Sequence, residues 1–282
     1  MVESNRTNTV GDKIRTLILV ILTIAFIFPI VLVFMNSFKS RLYVSTNPFA
    51  WPQGDMFVGL ENYINGLTIS GFLHAFIRSV WISVMGVGVI ILCTSMAAWY
   101  IVRVKDKVTK ILYYIFVFSM IVPFQMVMFT LTFVVTGVYF DNVFGIILVY
   151  LGFGAGLAVF MFCGFVKSIP LEVEEAAMID GCNPLQTYFM VVFPMLKPTA
   201  ITVAILQAMW IWNDYLLPYL ILGSDHKTVP VAIQLAMQGA YGSTDYGGFM
   251  AMLVVSIIPI IAFYIASQKY IIKGVIAGAV KG

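Results

Sequence analysis

Residues 167–198 read KSIPLEVEEAAMIDGCNPLQTYFMVVFPMLKP. This stretch is a polar island between two long apolar runs. Glu172, Glu174, Glu175 and Asp180 fall within nine residues of a chain that is only 10% charged. Leu, Glu, Ala and Met are good helix formers, so a helix is predicted over 171–179. Pro170 suits its first turn, and Gly181 suits a left-handed stop after it. Spacings of three and four put Val173, Ala176, Ala177 and Asp180 on one face. Asn183-Pro184 interrupts the chain again, and a second apolar segment runs to Phe193-Pro194.

Outward from the island the chain is membrane-like. It is 61% apolar, with a mean hydropathy of +0.98. A soluble domain is nearer half apolar and a quarter charged. The expected class is therefore an all-α integral membrane protein with six transmembrane helices. Residues 1–15 form a polar N-terminus, and 16–38 the first span, with Pro29 inside it. Its basic start resembles a signal peptide, but it is too long for one and lacks a small-x-small cleavage site. Residues 39–74 are expected to be an extracytoplasmic loop. Residues 75–267 form a core of five helices, at about 75–102, 111–135, 146–166, 199–222 and 247–267. The third contains Pro123 and Gln125, and Gly152 and Gly156 of the fourth are spaced for close helix approach. Residues 223–246 read as a loop, and 268–282 as a C-terminal tail.

Basic residues set the expected orientation. Arg6, Lys13, Arg15, Arg103, Lys105, Lys107, Lys110, Lys167, Lys197, Lys269, Lys273 and Lys281 fall on the side of the N-terminus. Lys39, Arg41, Arg78 and Lys227 fall on the other. The positive-inside rule then puts both termini and the 167–198 loop in the cytoplasm.

Several functions are disfavoured. A net charge of +3 is too small to imply nucleic acid. The three cysteines form no CxxC pair, so neither a disulfide framework nor a metal site is indicated. No Gly-Lys dipeptide occurs, so there is no Walker A loop. The chain is not expected to be an enzyme or to hold a cofactor, and any driving ATP must bind another chain.

Asp214 is the notable ionisable residue inside a span, within Trp210-Ile211-Trp212-Asn213-Asp214-Tyr215. An acidic group at membrane depth calls for a water-filled path or a partner. Aromatic faces beside hydrogen-bonding groups suit a sugar, so Gln125, Trp210, Asn213, Asp214 and Tyr215 are the candidate path or gate residues. The competing reading is interfacial anchoring, with Asp214 turned outward. His74 and His226 read as plain loop residues.

The 167–198 stretch resembles the cytoplasmic loop of permeases in ATP-binding-cassette importers. The family pattern is Glu-Ala-Ala, three residues, Gly, nine residues, Ile, one residue, Leu-Pro. Glu175-Ala176-Ala177, Gly181, Val191 and Phe193-Pro194 keep the full spacing, with Val for Ile and Phe for Leu. Gly59-Leu60-Glu61-Asn62-Tyr63, the Trp-Asn-acidic-aromatic run and the ending Gly274 to Gly282 are similar to the smaller permease of maltose-type carbohydrate importers. Arg78-Ser79 departs from the Asn-Ser usual there.

The resemblance implies a type I ABC importer permease fold with a cytoplasmic coupling helix. Glu174, Glu175, Ala176, Ala177, Asp180, Gly181 and Pro194 would be its ATPase-coupling residues. It implies a second permease, two copies of an ATPase that bind ATP and Mg, an extracytoplasmic solute-binding protein and a carbohydrate substrate. The setting would be a bacterial cytoplasmic membrane. A permease for another polar solute, such as a glycerol phosphate, is the alternative. An ion-driven secondary carrier would need intramembrane ligands and inverted repeats, and no repeat is apparent.

Overall fold

A computed structural model describes residues 10–69, 71–238 and 245–279. The described residues are helical apart from turns and one isolated antiparallel bridge, Lys39 with Phe57. The chain divides into two compact units. One falls within Met1–Phe72 and Leu235–Ile257, the other within Leu73–Gln234 and Ile258–Gly282.

In the first unit, α1 spans Val10–Asn36 and starts earlier than the expected 16–38. Its apolar side chains point outward, as lipid contact requires. The segment expected to be a plain loop at 39–74 is instead built, with α2 at Arg41–Thr46 and α3 at Glu61–Ile69. The reason is a polar knot. Lys39 is fully buried, and its Nζ donates to the carbonyls of Asn47 at 2.8 Å and Pro48 at 3.1 Å. Burial lowers its pKa. Asn62 Nδ2 donates to the carbonyls of Ser37 and Lys39, each at 2.8 Å. Gly247 leaves room for Asn62, since a Cβ there would lie 2.5 Å from the Asn62 side chain.

The second unit contains α4, Phe72–Val104, from its second residue onward. It continues with α5 at Lys107–Ser119, α6 at Phe124–Gly137 and α7 at Val143–Val166. Asp106 caps α5, and the N–H of Thr109 lowers its carboxyl pKa. After α7 come α8 at Leu171–Ile179, α9 at Pro184–Thr187, a π-helical turn at Tyr188–Val192 and α10 at Phe193–Met195. Then follow α11 at Lys197–Asn213, α12 at Leu216–Leu222, α13 at Val229–Met237 and α14 at Tyr246–Ala279.

Among the described residues four helices are long and apolar enough to cross a membrane, Gly11–Asn36, Phe72–Val104, Val143–Val166 and Tyr246–Gln268. Two bent pairs raise the number to six when each counts as one span. The expected straight third span at 111–135 breaks between α5 and α6, which meet at 106°. Pro123 is the cap residue of α6, with extended backbone, and proline disfavours helix in the residue before it, so α5 cannot run on into α6. The second bent pair is Pro184–Met195 with Lys197–Asn213, which meet at 74°. The expected fifth span at 199–222 is itself interrupted at Asp214, whose ψ of 120° ends α11. The 223–246 loop holds α13. Ser79 Oγ accepts its Val229 N–H at 2.8 Å, and Arg78 Nη1 donates to the Lys227 carbonyl at 2.8 Å.

The core of this unit sits around α7, where Tyr150, Val159 and Phe162 are fully buried. Close approach needs Gly154 and Gly156 rather than the expected Gly152. A Cβ at Gly156 would lie 2.7 Å from Met120 Cγ, and one at Gly154 would lie 2.8 Å from Ile90 Cδ1. Gly152 faces open space.

Candidate functional site

Helix α8 runs over Leu171–Ile179, as its composition predicts. Pro170 precedes it as the cap residue rather than lying in its first turn. It ends where Gly181 takes φ +90°, a conformation that penalises a Cβ. The Gly181 N–H donates to the Met178 carbonyl at 3.1 Å and the Cys182 N–H to that of Ala177 at 3.0 Å, so the last carbonyls are satisfied. Asn183 and Gln186 then form a reciprocal cap that starts α9.

The inward side of α8 is not the face that Val173, Ala176, Ala177 and Asp180 share. Glu174 is the buried residue, 3% exposed. Its Oε1 accepts from Arg103 Nη2 at 2.7 Å and Nε at 3.0 Å, and its Oε2 accepts from Trp99 Nε1 at 2.9 Å. Glu175, Ala176 and Asp180 are exposed, and Ala177 is half-buried. Leu171, Val173, Met178 and Ile179 also face outward, Ile179 at 86% exposure. A short helix that anchors itself by a carboxylate and presents apolar side chains outward is shaped to be covered by something else. Pro194 is exposed in α10.

The return segment is held equally firmly. Tyr188 is fully buried, its hydroxyl 2.6 Å from Ser95 Oγ and its ring 5.5 Å from that of Trp99. Trp99 reads in the sequence as part of a span and Arg103 as an orienting charge just after it, so neither marks this contact. Their spacing of four with Ser95 on one helix face is the available signal.

Asp214 lies at the break between α11 and α12. It does not turn outward. Oδ2 accepts from Tyr150 OH at 3.0 Å, and Oδ1 accepts from the Leu216 N–H at 3.1 Å and the Leu217 N–H at 3.4 Å. Trp210 packs edge-on against Tyr150 at 5.3 Å, and Tyr215 stacks on Tyr219 at 5.3 Å. Asn213 is exposed and donates to its own helix at the Met209 carbonyl, 2.7 Å away. Gln125 is exposed in the first turn of α6 and makes no hydrogen bond to this group. Tyr150 is the member that sequence reasoning missed, because an apolar helix conceals which tyrosine meets the acid.

A separate cavity of about 430 Å³ lies between α4, α11 and α14. Val84, Met209, Trp212 and Phe263 line it, with Ser83 among the lining residues. So apolar a lining does not suit a polyhydroxylated ligand. Exposed His74 and His226 join no metal-ligating cluster among the described residues.

Known proteins resemble this chain over nearly its whole length. A probable starch degradation products transport system permease protein of Thermoanaerobacterium thermosulfurigenes is 37% identical over 96% of this chain and 98% of its own. A multiple sugar-binding transport system permease protein of Streptococcus mutans is 36% identical over 92% of this chain and 93% of its own. A chain in the crystal structure of a bacterial ABC transporter involved in alginate import superposes with a TM-score of 0.80 at 23% identity. That match covers 96% of this chain and 99% of the other, and it shows the shared fold. Residues 90–277 match the profile of the binding-protein-dependent transport system inner membrane component. The chain therefore belongs to that family, the multi-pass inner membrane permeases of ABC transporters.

Proposed function

We propose that this chain is one of two different permease subunits of an ATP-driven importer of sugars or oligosaccharides. Membership of the family implies an ATPase and a binding protein as partners. Two ATPase copies would each dock on one permease, and α8 would be the docking helix on this one. The full-length similarity to permeases named for starch products and for multiple sugars supports a carbohydrate substrate. The observation that carries the docking role is the construction of α8. It is fixed from inside by Glu174, stopped sharply at Gly181, and exposes Leu171, Val173, Met178 and Ile179 beside its acidic residues.

Glu175, Asp180 and the outward side chains of α8 would meet the ATPase, and Gly181 would give the turn its shape. Trp210, Asp214 and Tyr215 would line the path or its outer gate. Both termini and α8 would be cytoplasmic. Lys105, Lys110 and Lys167 line one cleft beside the end of α4, which supports that orientation. In a cysteine-free background, a cysteine at Ser45 should react with an impermeant thiol reagent from outside, and one at Cys182 only after lysis. The reverse pattern would invert the topology. Ser243, a second expected outside position, lies outside the described residues, as do residues 1–9 with Arg6, and Lys281.

The test of the docking role is Gly181→Asp. A non-glycine residue at φ +90° is strained by roughly 1 kcal/mol or more, and the added charge sits at the interface. The variant should insert, lose co-purification of the ATPase and lose sugar-stimulated ATP turnover in proteoliposomes. Wild-type docking and uptake would refute the assignment.

A further inference from the structure

Ser95, Trp99 and Arg103 recur every four residues on the last turns of α4, so they form one stripe. Each touches the connection between α7 and α11. Arg103 and Trp99 hold Glu174 on α8, and Trp99 and Ser95 hold Tyr188 on the return segment. Arg103 Nη2 also donates to the Ile169 carbonyl at 3.0 Å, in the linker that enters α8. Helix, linker and return segment are thus fastened to the same helix by directional bonds. Glu174 and Tyr188 are buried, so the acceptor side of the joint is shielded from water. Three donors on one carboxylate fix its orientation as well as its distance, where an apolar contact would let the helices slide.

The other end of α4 carries a second clamp. Arg78 and Ser79 hold the start of α13 through the Lys227 carbonyl and the Val229 N–H. Arg78 and Arg103 lie on one uninterrupted helix, about 37 Å apart at the α-helical rise. We propose that α4 is a rod that relays displacement of α8 to α13 across the membrane, with Glu174 as the positioning residue at its driven end. The proposal rests on α8 being the ATPase-docking helix. Arg103 neutralises Glu174 in place, so this carboxylate is committed to the joint and leaves ATPase contact to its neighbours.

The test uses the assembled transporter in nanodiscs, with the native cysteines replaced. Spin labels go on exposed or half-exposed positions: Ile179 on α8, Tyr100 on α4 and Gln234 on α13, each paired with Phe160 on α7. On adding ATP and vanadate, all three distances should change in the wild type. In Glu174→Gln the Ile179 distance should still respond, while the Tyr100 and Gln234 changes fall by at least half. Sugar imported per ATP hydrolysed should fall at least fivefold. Trp99→Phe keeps the ring on Tyr188 and removes one hydrogen bond, so its loss should be intermediate. It carries the test if Glu174→Gln does not assemble. Undiminished Tyr100 and Gln234 changes in the variant that assembles would overturn the relay. An Ile179 distance that ignores nucleotide in the wild type would instead sink the docking role on which the relay depends.

Discussion

Glu174 and Asp214 are both carboxylates lodged in apolar surroundings, and they are held in opposite ways. Glu174 has a guanidinium at 2.7 Å and an indole N–H, and almost no exposure. Asp214 is half-buried and has neutral donors, one phenol and two backbone N–H groups. Among the described residues it has no salt bridge. A carboxylate neutralised in place has no further demand on its surroundings and acts as a joint. One met by neutral donors keeps its field, so it can still answer a ligand that enters beside it. Under the proposed function this difference would separate a mechanical region from a binding or gating region within one chain.

The largest effect should come from Arg103→Ala. It leaves Glu174 buried without its cation, and breaking such a pair costs about 3–5 kcal/mol. Thermal unfolding in detergent, with matched expression, measures it. A loss no greater than that of Asp214→Leu would erase the contrast between the two sites. Asp214→Leu removes the cap on α12, a change of about 1 kcal/mol in stability. Its uptake should fall at least tenfold while the ATPase still co-purifies. Normal uptake would make Asp214 only a helix cap. Glu175→Lys should be smallest in stability, within about 0.5 kcal/mol, because the residue is exposed. ATPase retention should nevertheless drop, though less than in Gly181→Asp. Equal retention to wild type would place the docking surface elsewhere on α8.

The legible parts of the chain are those decided locally. Helix 171–179 and its stop follow from good helix formers, Pro170 and Gly181, all within a dozen residues. The membrane class follows from hydropathy summed over whole spans. The bend at Pro123 was visible as a residue but not as a break, because neighbouring helices decide whether a freed backbone is satisfied again. The inward face of α8 is illegible in the sequence for a different reason. Periodicity assumes that apolar side chains turn inward, yet α8 is anchored by a carboxylate and leaves Leu171, Val173, Met178 and Ile179 exposed. The choice of Glu174 over Glu172 or Glu175 is made by Arg103, 71 residues earlier in the chain. Tyr150 is likewise 64 residues from Asp214.

The π-helical turn at Tyr188–Val192 has a consequence for chain length. Its closing bond runs from the Phe193 N–H to the Tyr188 carbonyl, five residues back rather than four. The turn therefore stores one surplus residue without displacing what flanks it. Deleting one residue among Phe189, Met190 and Val191 can be absorbed by relaxation to an ordinary α-helical turn. Deleting one inside α8 would swing every later residue by about 100° around the axis and carry Gly181 off its corner. A single-codon deletion scan should find tolerance in the first segment and none in the second, so any drift in the length of this loop has one place to go.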